Sequence, residues 1–209
     1  MKIQLITNNP EAWIIPYGER LQKELIAKGH ECRYVNEERD VEPGDILVFL
    51  CYEKVFKNLH LNKHNLVIHE SALPHGRGMS PLTWQILEGK NRIPITLLEA
   101  STKIDEGIIY DQTWIEFEGH ELLPELKQKQ GEATISLVHS FVDSYPNIVG
   151  KEQVGEPSYY NWRKPTDSEL NVRKTIAEQF NLLRVVDNER YPAFFIVDGQ
   201  KYIIKINKA

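Results

Sequence analysis

The chain has 209 residues, 41% of them hydrophobic and 26% charged, which is the composition of a globular protein. Its net charge of −5 argues against a dedicated nucleic-acid binder, because neutralising phosphates takes clustered Lys and Arg. Three patterns are missing: an apolar run of roughly 20 residues, a signal peptide and metal-type cysteine spacing. We therefore expect a cytoplasmic protein that binds neither a membrane nor a metal.

The first 70 residues alternate between strand and helix patterns. Lys2–Thr7 predicts a strand, and apolar residues at helical spacing follow until Gly29. Glu31–Val35 predicts a second strand. Two apolar runs, Asp45–Leu50 and Asn65–His69, are typical of strands buried on both faces. This alternation predicts an α/β fold with a mostly parallel sheet and helices on its faces.

The middle of the chain predicts one helix and two strands. Ser80 is a candidate N-cap, Pro81 suits the first helical turn and Gly89 suits the position after the end. The segments Ile93–Ala100 and Ile108–Phe117 then predict two strands joined by a loop.

The last third predicts two helices and a hairpin. A long helix is expected through Leu122–Ser144, with Gly131 as a candidate break, and residues 145–166 form an irregular connector. A capping box at Thr166–Glu169 predicts a further helix to about Gln179. A hairpin around the turn Asp198-Gly199 closes the chain. Residues 1–150 are predicted to form one domain, and 151–209 the connector, short helix and hairpin.

A polar, glycine-containing loop follows the predicted strand that ends at His69. It has the sequence His-Glu-Ser-Ala-Leu-Pro-His-Gly-Arg-Gly from His69 to Gly78, and Asp105-Glu-Gly107 lies further on. In open α/β sheets, ligands bind beyond the carboxyl ends of strands. This loop is therefore a candidate functional site.

These motifs, with Pro81 and Trp84, resemble the signature of the folate-dependent formyltransferases. The likeness is good over roughly residues 40–115. It extends more loosely to Tyr159–Asp167 and Tyr191-Pro192-Ala193, which look like the sugar-modifying members. The resemblance implies a Rossmann-like catalytic domain and transfer of a formyl group from N10-formyltetrahydrofolate. The implied acceptor is the amine of a nucleotide-linked sugar, a 4-amino-4,6-dideoxyhexose. It also implies a homodimer.

Formyl transfer is acyl transfer to an amine, and it needs particular side chains. A base that titrates near neutrality is required, and His has the nearest ordinary pKa. A carboxylate beside it would hold the imidazole and stabilise the imidazolium. We expect His69 to be the base and Asp105 the orienting carboxylate, with His75 as the alternative histidine.

The family's catalytic asparagine precedes the histidine by two residues, where this chain has Val67. Asn65 shares the strand face of His69, since the side-chain period of a strand is two, and it is the candidate replacement. Either His69 and backbone N–H groups hold the oxyanion, or a side chain such as His64, Glu70 or Ser71 contributes. The other possibility is a relative that only binds.

The resemblance also implies two ligand-binding sets. The expected folate-binding residues lie before and within the signature: Cys51, Tyr52, Phe56, Ser71, Leu73, Pro74 and Ile104. The expected acceptor-binding residues are basic or aromatic, with one glycine: Arg77, Gly78, Tyr159, Tyr160, Trp162, Arg163 and Lys164. Guanidinium groups suit a diphosphate, and aromatic rings suit a base.

Four alternatives remain open. A methionyl-tRNA formyltransferase is disfavoured by the acidic charge and by the short segment after Tyr159, and a glycinamide-ribonucleotide enzyme by Thr7-Asn-Asn-Pro10, which lacks a glycine-rich start. A formyl-folate hydrolase could use the same His–Asp pair with water. A non-catalytic binding module for folate or sugar nucleotide is motivated by Val67.

Overall fold

The computed structural model describes residues 1–209, with ten strands and four α-helices. The strands are β1 (Lys2–Ile6), β2 (Glu31–Val35), β3 (Gly44–Phe49), β4 (Asn62–His69), β5 (Arg77–Gly78), β6 (Arg92–Glu99), β7 (Ile109–Glu116), β8 (Tyr159–Tyr160), β9 (Ala193–Val197) and β10 (Gln200–Ile204). The helices are α1 (Ile15–Ala27), α2 (Pro81–Leu87), α3 (Leu123–Ser144) and α4 (Phe180–Val185).

Six strands form one mixed sheet in the order β2-β1-β3-β4-β6-β7. The first four are parallel to one another, whereas β6 is antiparallel to β4 and β7 is antiparallel to β6. The predicted mostly parallel sheet flanked by helices is therefore confirmed. The parallel strands direct their carboxyl ends to one edge, where the loop after His69 begins.

Apolar side chains cover the two faces of the sheet unequally. The larger core has 25 buried residues and joins the sheet to α1 and α3 through residues such as Leu21 and Phe141. The other face carries a smaller cluster around Leu47, Phe49 and Phe56. Every second residue of β4 from position 65 points to the face of this smaller cluster, and these residues are Asn65, Val67 and His69.

Helix α3 runs unbroken through Gly131, so the predicted candidate break is wrong. Gly131 is buried, and a Cβ atom there would overlap the ring of Tyr17 on α1. The glycine therefore permits the close approach of α1 to α3, which outweighs its low helix propensity.

One prediction about a helix start is confirmed and one is wrong. Ser80 is the N-cap residue of α2 and Pro81 its first residue, as predicted, although Ser80 has φ 54° and makes no side-chain capping bond. The helix expected from Thr166 to Gln179 is replaced by 3₁₀ turns at Pro165–Ser168 and Ala177–Gln179, and α4 begins only after the second turn. Leu170 instead donates its backbone N–H to Phe194 of β9 at 2.6 Å. That pairing takes the segment out of helical geometry.

The C-terminal segment has a small core of its own but is tied to the main sheet. Leu170, Leu183, Val186 and Ala193 form its buried cluster. The hairpin β9–β10 turns at Asp198 and Gly199 with φ 50° and 76°, so the turn predicted there is confirmed. Strand β8 pairs in parallel with β5, beside the candidate site. A domain boundary near residue 150 stays a prediction. No helix combines the length and the hydropathy needed to cross a membrane.

Candidate functional site

A cavity of about 580 Å³ opens at the carboxyl ends of the parallel strands. Its walls come from the segment after β3, the end of β4, the loop before Asp105, the buried side of α3 and the segment before β9. Predicted residues from distant parts of the sequence therefore meet in one cleft.

His69 and Asp105 face each other in the wall of this cavity. The His69 Nδ1 and Asp105 Oδ2 atoms are 3.6 Å apart, and both side chains are mostly buried, at 7% and 10% exposed. On its other side, His69 Nε2 lies 2.8 Å from the carbonyl oxygen of Gly76. A carbonyl can only accept, so Nε2 must carry the hydrogen, and Nδ1 is the nitrogen left to accept a proton.

The loop that carries Asp105 is held in place from two directions. Asp105 has φ 54°, in the left-handed region, and its Oδ2 accepts the backbone N–H of Gly78 at 2.9 Å. Gln153 donates to the backbone carbonyls of Asp105 and Gly107 at 2.7 and 2.8 Å. The carboxylate is thus placed by partners in β5 and in the connector.

Arg77 occupies a structural position instead of facing the cavity. It is 8% exposed and does not line the cleft. Its guanidinium forms an ion pair with Glu106 at 2.9 Å and donates to Gln153 at 2.7 Å. The structure therefore places Arg77 as a brace for the Asp105 loop, and the predicted acceptor contact has no geometric support.

Asn65 also lies away from the cavity. Its amide donates to the carbonyl oxygen of Leu59 at 2.9 Å, and its backbone N–H donates to Glu99 at 2.6 Å. Val67, and not Asn65, lines the cleft beside His69. Asn65 lies four residues before His69, and its side chain contacts the turn that precedes β4 instead of the cavity. The predicted catalytic contact therefore does not form.

One lobe of the cavity, which we call the aromatic lobe, lies on the Val67 face of the sheet. Three predicted folate-binding residues line it: Tyr52, Phe56 and Ile104. A fourth, Cys51, lines the cavity on the other face of the sheet, near Trp13 and Glu70. The rings of Phe49, Tyr52 and Phe56 pack at centroid distances between 5.2 and 6.3 Å. Burial raises the pKa of the Cys51 thiol to about 12, so this cysteine stays neutral.

The other predicted folate-binding residues support the loop from behind. Ser71 and Leu73 are 2% and 7% exposed, and Pro74 is also buried. None of these three lines the cavity. The Ser71 carbonyl accepts the Thr96 hydroxyl at 2.7 Å, which fastens the loop to β6.

The second lobe, which we call the cationic lobe, lies between α3 and the C-terminal segment. Of the predicted acceptor-binding residues, Gly78, Trp162 and Arg163 line the cavity, whereas Tyr159, Tyr160 and Lys164 do not. The Tyr160 hydroxyl instead donates to Glu88 at 2.9 Å.

Sequence reasoning missed several residues of the cationic lobe. Lys127, Gln130 and Thr134 recur at helical spacing on one face of α3, a pattern that could have been found beside the apolar face. The others are Trp13, Asp187 and Arg190. Glu70, named from the sequence as a possible oxyanion contact, and Tyr191, named within a motif, also line this lobe. Lys127 Nζ is 3.7 Å from Asp187, and burial lowers the pKa of that lysine although Asp187 acts in the opposite direction.

No family model matches the chain. The chain is 29% identical over 159 residues to the bifunctional polymyxin resistance protein ArnA of Wigglesworthia glossinidia brevipalpis. That alignment covers 73% of this chain but only 23% of the relative.

Several solved structures share the fold over nearly the whole chain. The methionyl-tRNA formyltransferase of Clostridium thermocellum matches with a TM-score of 0.84 at 19% identity, covering 100% of this chain and 93% of that one. A sugar N-formyltransferase from a Shewanella species matches with a TM-score of 0.72 at 18% identity, covering 100% and 98%. HypX of Aquifex aeolicus, solved with tetrahydrofolic acid, matches with a TM-score of 0.78 at 16% identity, covering 99% and 37%. The chain thus has the formyltransferase fold, and the resemblance predicted from the sequence is confirmed.

Proposed function

We propose that the protein is an N-formyltransferase, which moves a formyl group from N10-formyltetrahydrofolate to the amine of a nucleotide-linked amino sugar. The observation that carries the proposal is the His69–Asp105 pair, with 3.6 Å between Nδ1 and Oδ2, in the wall of a two-lobed cavity. Acyl transfer to an amine needs a base, a carboxylate beside it and room for two ligands, and the cleft offers all three.

The aromatic lobe fits the folate. A pterin ring is flat, with an edge of hydrogen-bonding groups. The side chains of Tyr52 and Phe56 can cover its faces, and the loop before Asp105 borders its edge. The likeness to HypX, which was solved with tetrahydrofolic acid, supports this assignment. When bound, the donor supplies the formyl carbon that the amine attacks.

His69 would take the amine proton on Nδ1, because Nε2 already donates to Gly76. The resulting imidazolium then has a proton on each ring nitrogen. Nε2–H faces a carbonyl, and Nδ1–H faces the Asp105 carboxylate, so both are stabilised. With Val67 in the place of an amide side chain, the positive charge of the imidazolium and hydrogen bonds from backbone N–H groups are left to stabilise the oxyanion.

The cationic lobe fits a nucleotide-linked acceptor. Lys127, Arg163 and Arg190 supply positive charge for a diphosphate, and Trp162 supplies a ring on which a base can stack. The solved sugar N-formyltransferase of the same fold supports this acceptor class, as does the net charge of −5. We place the reaction in the cytoplasm. Arg77, Tyr159, Tyr160, Lys164 and Asn65 are not part of the proposed contacts.

Formyl transfer to methionyl-tRNA is the second candidate, because the C. thermocellum enzyme gives a TM-score of 0.84. That chain is covered to 93%, so the short C-terminal part of this protein does not separate the two acceptors. The net charge of −5, which disfavours binding to a tRNA, is the feature that still distinguishes the two acceptors.

The test is release of tetrahydrofolate from formyl-tetrahydrofolate in the presence of different acceptors. A panel of nucleotide-linked 4-amino-4,6-dideoxyhexoses is compared with methionyl-tRNA, glycinamide ribonucleotide and no acceptor. Release that depends on an amino sugar supports the proposal. Release that depends on the tRNA or the ribonucleotide moves the protein to that class, and release without an acceptor indicates a hydrolase. Binding without release indicates a binding module.

A further inference from the structure

Glu70 follows His69 directly and lines the cationic lobe of the cavity. In the proposed reaction the acceptor nitrogen loses two protons, and His69 accepts only one of them. Glu70 is a candidate acceptor for the other. Primary amines resemble the lysine and α-amino groups, whose ordinary pKa values are about 10.4 and about 8. An acceptor amine therefore arrives mostly as an ammonium ion at neutral pH. It must lose one proton before it can attack and another during the attack.

The carboxylate of Glu70 is held in one orientation. Gln130 on α3 donates from Nε2 to Glu70 Oε1 at 2.6 Å. The backbone carbonyl of Glu70 accepts from Gln85 on α2, also at 2.6 Å. Beyond Gln130 and the backbone N–H of Glu70 itself, no group donates to this carboxylate, and the residue is only partly buried, so Oε2 can reach a ligand in the cavity.

The charged and titratable neighbours of Glu70 come from several elements. They are His69 at the end of β4, directly before Glu70, Asp105 from the loop opposite, Cys51 after β3, and Lys127, which precedes Gln130 by one turn of α3. Burial raises the pKa of the Glu70 carboxyl, and the attraction of His69 and the hydrogen bond from Gln130 offset that effect only in part. A partly buried carboxylate that keeps one oxygen toward the cavity attracts a cation, and its raised pKa makes it a better proton acceptor.

We propose that Glu70 is the subsite for the acceptor's ammonium group, binding it through Oε2 and accepting its first proton. The inference depends on the proposed function. The ammonium gives one proton to the Glu70 carboxylate, which leaves a neutral amine and a carboxylic acid. The amine nitrogen bonds to the formyl carbon and its second proton passes to His69 Nδ1. The bond from the formyl carbon to the folate nitrogen breaks, and that nitrogen takes the proton from His69. Glu70 then returns its proton to water.

The test is the isosteric variant Glu70→Gln, which keeps an oxygen for Gln130 but cannot accept a proton. Its kcat/KM is measured from pH 6 to pH 10 with the amino sugar that turns over best. At pH 7 we expect a loss of about ten- to a hundredfold, the ratio that one hydrogen bond to a charged group commonly contributes. The loss should shrink toward the pKa of the amine, because above that pH the neutral amine needs no first acceptor.

A binding measurement without turnover provides the second readout. Wild-type protein should prefer the amino sugar over the same nucleotide sugar with a hydroxyl in place of the amine, and Glu70→Gln should lose that preference. Tetrahydrofolate affinity should stay unchanged, which also shows that the variant is folded. Glu31→Gln is the matched control. Glu31 is exposed and lies at the amino end of β2, the opposite end of the parallel strands from the cavity.

The outcomes separate the two proposals. If wild-type protein transfers formyl groups to no amine, both the proposed function and the role of Glu70 are overturned. If wild-type protein is active and the Glu70→Gln profile runs parallel to it at every pH, only the role of Glu70 is overturned. If Glu70→Gln does not fold, the same pH series with Glu70→Asp decides, because a shortened carboxylate should keep the wild-type profile with a higher KM.

Discussion

At the residue scale, His69 has a fixed neighbour on each ring nitrogen. Gly76 accepts from Nε2 at 2.8 Å, and Asp105 lies 3.6 Å from Nδ1. The Gly76 contact fixes the tautomer in which Nδ1 is the base. His75, in the same loop, is exposed and lies outside the cavity lining. The choice between the two histidines therefore follows from their positions and not from their chemistry.

Trp162 is 52% exposed and lines the cationic lobe, so its ring is available to a nucleotide base. We expect Trp162→Ala to raise the KM for the sugar nucleotide about tenfold, since stacking of a base on an aromatic ring is worth about 1 to 3 kcal/mol. The affinity for tetrahydrofolate should not change. Steady-state kinetics and a folate titration measure the two.

Trp114→Ala is the matched control for this prediction. Trp114 is 41% exposed on β7, packs against Arg92 and does not line the cavity. Its replacement should leave the KM near the wild-type value. An unchanged KM in Trp162→Ala as well would return Trp162 to a structural role.

Much of the site was predictable because its chemistry lies in short motifs. His69, Asp105, Cys51, Tyr52 and Phe56 all line the cavity as expected. Arg77 was assigned to the acceptor, because a buried arginine braced by Glu106 has the same sequence pattern as one that binds phosphate. Lys127 and Arg190 went unassigned for a related reason: they line one cavity only when α3 and the C-terminal segment pack together.

At the scale of elements, the contact between α1 and α3 depends on Gly131. A methyl group there would overlap the ring of Tyr17. Although alanine favours helix more than glycine, we expect Gly131→Ala to lower the free energy of unfolding by about 1 to 3 kcal/mol, as overpacking commonly does. Urea unfolding followed by circular dichroism measures this.

The control is Gln128→Ala on the exposed side of the same helix. That change should be neutral or slightly stabilising, because only helix propensity is altered. If Gly131→Ala were as stable as the wild type, the close approach of α1 to α3 would not require a glycine.

Glu121 ties the C-terminal segment to the main sheet. Its carboxylate is buried and accepts the backbone N–H groups of Glu118 and Gly119 at 2.8 and 3.0 Å, and Arg184 pairs with it at 3.4 Å. Burial alone would raise the pKa of this carboxyl, but the hydrogen bonds from the backbone and from Lys129 outweigh it and lower the pKa to about 2.

From this lowered pKa we predict how the free energy of unfolding depends on pH. The ordinary pKa of glutamate is about 4.3, so the unfolded chain binds the proton more readily. The stabilisation is fully present above that value and is lost as the pH falls toward the folded pKa of about 2. Glu121→Gln should therefore cost on the order of 2 kcal/mol at pH 6, and the difference from wild type should shrink between about pH 4.5 and about pH 2. Urea midpoints across that range test it, with Glu31→Gln as the control. A difference independent of pH would contradict the account.

At the scale of the whole molecule, the alternation of strand and helix patterns was enough to predict the sheet. The reversal of β6 was not predictable, because a buried strand shows the same apolar run in either direction. The helix expected at 166–179 failed because the backbone of Leu170 pairs with the distant Phe194. Local capping signals carry no information about such a partner.

The homodimer implied by the resemblance remains a prediction, and the hairpin β9–β10 is its candidate surface. Ile196 and Ile203 lie on one face of the hairpin and are 44% and 60% exposed. We expect light scattering to give twice the monomer mass and Ile203→Glu to shift the protein toward monomer. Val149→Glu, at a position 80% exposed outside the hairpin, should not. A monomeric wild type would contradict the prediction.

The central claim is tested most directly by a double-mutant cycle on His69 and Asp105, with acceptor-dependent release of tetrahydrofolate as the readout. His69→Asn and Asp105→Asn should each lower kcat by about a hundredfold or more. The double variant should be little worse than either, because the two residues act as one unit. His75→Asn should be close to wild type, and all variants should still bind tetrahydrofolate. Near-normal turnover in either single variant, or losses that multiply in the double variant, would contradict the proposed pair.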